Sequence, residues 1–232
     1  NTESEFVAHE PCNNCGSSDA NSRYSDGHAY CFACQTYTPA EDWTHTHTRM
    51  NTNVQFLGSA EQLQKRRISE KTNEFYRIYR HGNTLRFPYY DESGRVVGFK
   101  IKTKSKDFHY EGASASCLFG QHLFPTSGKR IVITEGELDA ASCYEVMSGW
   151  PMVSLPHGAA AAKKDLQKAI PFLQGYQEIV LFFDNDEAGR EAVESASSIL
   201  PAGRVKIARL DVYKDASDAL QADDKDAIRR AI

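Results

Sequence analysis

No run of apolar residues in this sequence approaches the roughly 18 that a bilayer-spanning helix needs, and no charged-then-apolar leader opens the chain. The string GxxxxGK[ST] is missing, so no P-loop phosphate cradle is expected. An excess of positive charge is missing too. Lys and Arg number 27 against 31 Asp and Glu, a formal net charge of −4, which taken alone argues against a polyanionic partner. Compositional bias is equally lacking: 232 residues, 41% hydrophobic and 25% charged, fit a globular chain of one or two domains. The sequence opens on Asn1, which is therefore not expected to be the start of translation.

The charge is unevenly spread. Residues 1–60 carry a net −5, residues 61–106 a net +7 and residues 107–232 a net −6. A basic segment between two acidic ones reads either as a solvated face or as a surface for phosphates.

Four of the six cysteines form Cys12-x-x-Cys15 and Cys31-x-x-Cys34, with 15 residues between the pairs. Each CxxC turn can aim two thiolates at one tetrahedral ion, and two such turns close a four-thiolate shell typical of structural zinc. Gly16 and Gly27 lend turn freedom beside them. Two disulfides, or a redox CxxC, are the alternatives. Cys117 and Cys143 stand isolated in apolar stretches, which does not suggest a disulfide framework. A segment of about 30 residues needs the metal to fold. With the tetrahedron filled by sulfur, His28, Asp26, Arg23 and Tyr24 are left as polar turn residues, or as a face that meets a nucleobase. Residues 39–55 are polar and Thr-rich, without apolar period, and read as a tether; His45 and His47 within it are weak metal candidates.

Ser59-Ala-Glu-Gln-Leu predicts a short helix to about Arg67, and Ser69-Glu-Lys-Thr predicts the start of another. From Leu85 the apolar period becomes two. Lys100, Lys102, Lys104 and Lys106 then recur at every second position, which places four ammonium groups on one face of a strand. They form either a phosphate-binding row or the charged guard of an edge strand. Beyond residue 126, short apolar runs alternate with helical patterns, which predicts a mainly parallel sheet. Glu135, Asp184, Asp186 and Asp215 fall at strand ends, where such sheets collect ligands. Singly, each reads as a helix cap. Together, with Asp184-x-Asp186, they read as oxygen ligands for Mg²⁺ or Mn²⁺, suited to two-metal nucleotidyl transfer.

The strings ITEGELD and DNDEAGREAVE resemble the toprim signature of bacterial-type primases, topoisomerases and some nucleases. With PCNNCGSSDANS, SDGHAYCFAC, FKIKTKSKDF, FGQHLF, MVSLPHGAAAAKK, LPAGRVKIA and KDASD, the chain resembles the primase halves of the bifunctional primase–helicases of T-seven-type phages. That resemblance implies an α/β fold: a zinc ribbon (7–38), a linker (39–55) and a toprim-type RNA polymerase domain. The domain would comprise a basic mixed-β N-terminal subdomain (56–125) and a toprim subdomain (126–232). It implies a DNA primase that makes short RNA primers on single-stranded DNA from ribonucleoside triphosphates, with the ribbon reading the template. Carried over by residue, it implies zinc on Cys12, Cys15, Cys31 and Cys34, and template contact at His28 and Asp26. It likewise implies nucleotide contact at Lys100 and Lys106, magnesium on Glu135, Asp184 and Asp186, and a catalytic role for these three and Asp215. KDAS stands where the phage family has KDAN. A C-terminal helicase domain and a DNA polymerase are the implied protein partners, and the host-cell cytoplasm the implied place of action. Unwinding is not expected from these residues. A toprim nuclease or topoisomerase, and a non-catalytic zinc-knuckle DNA-binding mediator, are the competing readings. The topoisomerase reading lacks room for a tyrosine-bearing further domain, and the intact Glu135 and DxD pair speak against a silent mediator.

Overall fold

The computed structural model describes residues 4–12, 15, 17–34, 36–38, 55–105 and 107–232. Two compact units divide between residues 52 and 53. The tether expected at 39–55, with His45 and His47, lies outside the described residues except for Gln55, and so does Lys106.

The first unit is a four-stranded antiparallel ribbon in the order β1 (Phe6–Glu10), β2 (Asn21–Tyr24), β3 (Ala29–Cys31), β4 (Thr36–Thr38). Its interior is meagre: Cys12, Cys31, Ser22 and Ala29 are buried, while Phe6, Val7, Phe32 and Tyr37 stand exposed. So little buried apolar surface cannot offset the conformational entropy of ordering the chain.

The second unit begins with a departure from expectation. No helix runs from Ser59 to Arg67. Leu63 and Ile68 pair through an isolated bridge and both enter the core, which closes the segment on itself and leaves one 3-10 turn at Gln64–Arg66. Ser69 then caps α1 (Glu70–Tyr76) by accepting the Thr72 N–H. An antiparallel sheet follows in the order β5 (Tyr79–His81), β6 (Thr84–Tyr90), β7 (Val96–Lys102), β8 (Phe108–Gly112). The lysine run is only partly strand. β7 ends at Lys102, and Lys104 sits in the following turn.

A parallel sheet comes next. It comprises β9 (Gly128–Thr134), β10 (Met152–Ser154), β11 (Tyr176–Phe182) and β12 (Val205–Ile207), in the order β10-β9-β11-β12. Helices α2 (Glu137–Val146), α3 (Ala162–Leu173) and α4 (Glu187–Ser197) connect successive strands, and α5 (Ala216–Gln221) and α6 (Lys225–Ala231) close the chain. The strands are apolar on both faces because both are covered. Val132 and Val180 enter the core with α2 and α5, which continues into Phe87 and Tyr89 of the antiparallel sheet. Ile131, Ile133, Ile179 and Leu181 point the other way, onto Leu166 of α3 and Val193 of α4. Because β10 and β11 flank β9, the connections diverge there, and a crevice opens at the carboxyl ends of the strands.

One glycine fixes the start of α4. A Cβ at Gly189 would lie 2.0 Å from the Asp184 carbonyl oxygen, so helix and strand end meet only because the side chain is missing. Gly189→Ala is expected to lower the unfolding free energy by about 1–3 kcal/mol, as overpacking does, read as a lower urea midpoint at unchanged slope.

Candidate catalytic cleft and metal sites

In the ribbon, the four cysteine Sγ atoms all lie within 4.8 Å of one another. The Cys12–Cys34 and Cys15–Cys31 sulfurs are 3.7 Å apart, far beyond the ~2.05 Å of a disulfide, so four soft ligands face one point. Beside them, His28 Nδ1 lies 2.5 Å from Asp26 Oδ1. Its ring stacks on Tyr24 at 4.3 Å and on Tyr37 at 5.3 Å. Arg23 instead pairs with Glu10 at 2.8 Å.

In the second unit, a cleft of about 860 Å³ opens over the carboxyl edge of the parallel sheet. Glu135 follows β9, Asp184 follows β11 by one residue, and Asp215 opens α5. The cap reading and the ligand reading of these acids both hold in part. Asp186 accepts the Gly189 N–H through Oδ1 (3.0 Å), and Asp215 accepts the Asp218 N–H (2.7 Å), so these two cap helices. Glu135 and Asp184 cap nothing. Oε2 of Glu135 is buried with no hydrogen-bond partner. Burial, then repulsion from Asp184, push the Glu135 carboxyl above its ordinary range, and burial does the same at Asp184.

Two acids in α2 belong to the same cluster, although sequence reasoning passed over them as helix residues. Asp139 lies on the cleft wall, accepts the Ser217 N–H at 3.0 Å, and is pushed well up by burial and by Asp215. Ser217, of the KDAS string, also accepts a hydrogen bond from Arg66 at 2.7 Å. Glu137 is buried and takes the counter-charge role that phosphate was expected to fill for Lys100. Lys100 Nζ lies 2.7 Å from Glu137 Oε1 and donates to the Pro156 carbonyl at 3.0 Å. Tyr89 donates to the same Glu137 oxygen at 2.6 Å. The period-two spacing does put Lys100 and Lys102 on one face, since both line the cleft.

Lys214 was also missed. Its ammonium lies 3.0 Å from Asp184 and 3.2 Å from Asp186. Opposite, His157 directs Nδ1 at the buried Asp165 (3.0 Å) and Nε2 toward Ser114 (3.3 Å). An orphaned carboxylate oxygen, carboxyls raised by mutual proximity and an all-oxygen donor set fit a hard divalent cation. Glu135, Asp184 and Asp186 are the residues that would hold it.

Residues 132–220 match the family described as Toprim-like. The chain is 38% identical to the DNA helicase/primase of Enterobacteria phage T3 over 96% of its own length and 43% of the relative's. It superposes on the crystal structure of the primase fragment of the bacteriophage T7 primase–helicase with a TM-score of 0.71 and 35% identity, covering 98% of this chain and 99% of that one. The E. coli primase catalytic core shares the fold, at TM-score 0.54 and 17% identity, over 73% of this chain and 70% of that one. The chain is thus a toprim protein of the DNA primase class. It belongs to the family of the primase parts of phage primase–helicases, and spans under half the length of the T3 relative.

The raised carboxyl of Glu135 has a measurable consequence. The folded chain holds that proton more tightly than the unfolded chain does. Its stabilising contribution is therefore complete below the ordinary value of 4.5 and is lost as pH rises through the raised value. Without added divalent metal, Glu135→Gln is expected to melt above the wild type at pH 8 and level with it near pH 4, by differential scanning calorimetry.

Proposed function

We propose that this chain is a template-directed RNA primer synthase acting on single-stranded DNA, the primase part of a primase–helicase that works in the host-cell cytoplasm. The observation that carries the reading is the convergence of Glu135, Asp184, Asp186 and Asp215 with the cations Lys100, Lys102 and Arg66 around one cleft. Joining nucleotides requires a 3′ hydroxyl to attack an α-phosphate while pyrophosphate departs. No covalent protein nucleophile is required. When bound by Glu135, Asp184 and Asp186, magnesium or manganese supplies Lewis acidity toward the triphosphate and its leaving group. Lys100, held still by Glu137 and the Pro156 carbonyl, presents fixed positive charge to phosphate. Lys106 is proposed beside it on the resemblance of FKIKTKSKDF alone.

A second groove of about 740 Å³ continues past Arg66 and Lys102 along Lys65, Arg80 and Lys104, and suits a nucleic-acid backbone. The ribbon would hold one zinc on Cys12, Cys15, Cys31 and Cys34. It would meet template bases through His28, stacked between two tyrosines, and through Asp26. A DNA polymerase and a C-terminal helicase domain are the partners proposed. In the T7 phage relative, primase domains bound to an RNA/DNA hybrid interact with the lagging-strand polymerase.

The test is incorporation of labelled ribonucleotides on single-stranded DNA. Short RNA products are expected with Mg²⁺, reduced at least about a hundredfold in Asp184→Ala or Asp186→Ala, as when charge stabilisation at the reacting phosphate is removed. DNA cleavage without synthesis would overturn the reading in favour of a nuclease. In a separate measurement, elemental analysis is expected to find about one zinc per chain. Cys31→Ser should lose both that zinc and initiation at preferred template sites, and initiation at unchanged sites would remove the ribbon as the reader.

A further inference from the structure

Lys214 occupies an unusual position. Its ammonium bridges Asp184 and Asp186 at 3.0 and 3.2 Å, and no other Lys or Arg of the described residues pairs with either acid. It precedes Asp215, which is tied to the N-terminus of α5 through the Asp218 N–H. The lysine therefore hangs from a fixed backbone, while its side chain stays half exposed and able to swing out. Asp184 is mostly buried, and Glu135, Asp139 and Asp215 add their charges around it. Without a cation, that group of carboxylates would repel itself apart. The other lysine of the cleft is not available for the task, because Lys100 is buried against Glu137 and the Pro156 carbonyl.

We propose that Lys214 is a built-in, exchangeable counter-cation. It holds Asp184 and Asp186 together before a divalent ion arrives, and is displaced from them when the ion binds. The released ammonium then stays beside the site, on the side where an incoming triphosphate brings negative charge. This rests on the metal reading given above. It has a consequence that a purely structural or purely substrate-binding lysine would not have. Removing Lys214 should tighten metal binding, since the ion no longer competes with an ammonium, and should weaken the metal-free protein.

The experiment measures free Mn²⁺ by electron paramagnetic resonance during titration of the zinc-loaded chain at low salt, without nucleotide. Thermal melting is recorded with and without Mn²⁺. Displacing an ammonium from two partly exposed ion pairs corresponds to a change of about three- to tenfold in affinity. Lys214→Met is therefore expected to bind Mn²⁺ more tightly by that factor. It should melt lower than wild type without metal and show a larger rise in melting temperature on adding Mn²⁺. Lys214→Arg, which keeps the charge, should restore wild-type affinity. Should the Met variant fail to fold, Lys214→Gln repeats the measurement with a polar neutral side chain. Unchanged or weaker Mn²⁺ binding in the neutral variants would overturn the proposal. If instead wild-type binding is unaffected by Asp184→Asn, the metal reading of the cluster has failed, which is a different result from failure of the lysine's role.

Discussion

Repulsion among carboxylates held together at the carboxyl edge of the parallel sheet is the constraint around which residues 53–232 are arranged. The sheet order β10-β9-β11-β12 brings Glu135 and Asp184 side by side at the ends of the adjacent strands β9 and β11. The helices that follow add Asp139 and Asp186 from their first turns or caps, and α5 adds Asp215. Helix N-termini soften the cost of each acid, because their unpaired N–H groups favour negative charge. They do not remove it. The carboxyls of Glu135, Asp139 and Asp184 remain above the usual range, so the folded chain stores an electrostatic penalty that a cation relieves.

The protein meets this penalty with two kinds of positive charge. One is permanent: Lys100, enclosed with Glu137, Tyr89 and the Pro156 carbonyl, forms a buried, hydrogen-bonded pair of the kind that fixes geometry more than it stabilises. The other is replaceable: Lys214 reaches its acids from an exposed position. The ribbon follows a contrasting logic. Its four sulfurs surround a single point, so a metal there has no open coordination position and serves the fold, whereas the acids of the cleft leave room for substrate oxygens.

What the chain's text disclosed follows from how local each signal is. Cys12-x-x-Cys15, Cys31-x-x-Cys34 and Asp184-x-Asp186 are short-range patterns whose spacing alone carries the chemistry, and the apolar runs before Glu135 and Asp184 expose the strand ends. Glu137 and Asp139 were not legible as cleft residues, because in sequence they are ordinary acids of a helix first turn. Only the packing of α2 against α5 turns Asp139 toward Asp215. Lys214 was invisible for a related reason: it meets the DxD pair through the sheet, across 28 residues of chain. The segment 59–67 misled because propensity was the only guide to it. Burying Leu63 and Ile68 together requires a closed turn, with Arg67 at φ 56°, and tertiary packing overrides a weak helical pattern.

The same cross-chain pairing changes what the basic segment can do. Its +7 over residues 61–106 suggests a broad polyanion surface. Much of that charge is spent internally: Arg67 pairs with Asp223, Arg80 with Glu61, Arg86 with Glu111, Arg95 with Asp91 and Lys100 with Glu137. Among the described residues, Lys65, Arg66, Lys102 and Lys104 line the groove beyond the cleft without an ion-pair partner. An arc of about four charges releases few counterions, so its intrinsic hold on a phosphate backbone is weak and its salt dependence shallow beside that of a dedicated DNA-binding surface. A site built this way orients a strand over the carboxylates but does not retain it. Retention must then come from elsewhere in the assembly: from a second point of contact such as the ribbon, whose effective concentration near the cleft is raised by being on the same chain, or from a partner that already holds the template.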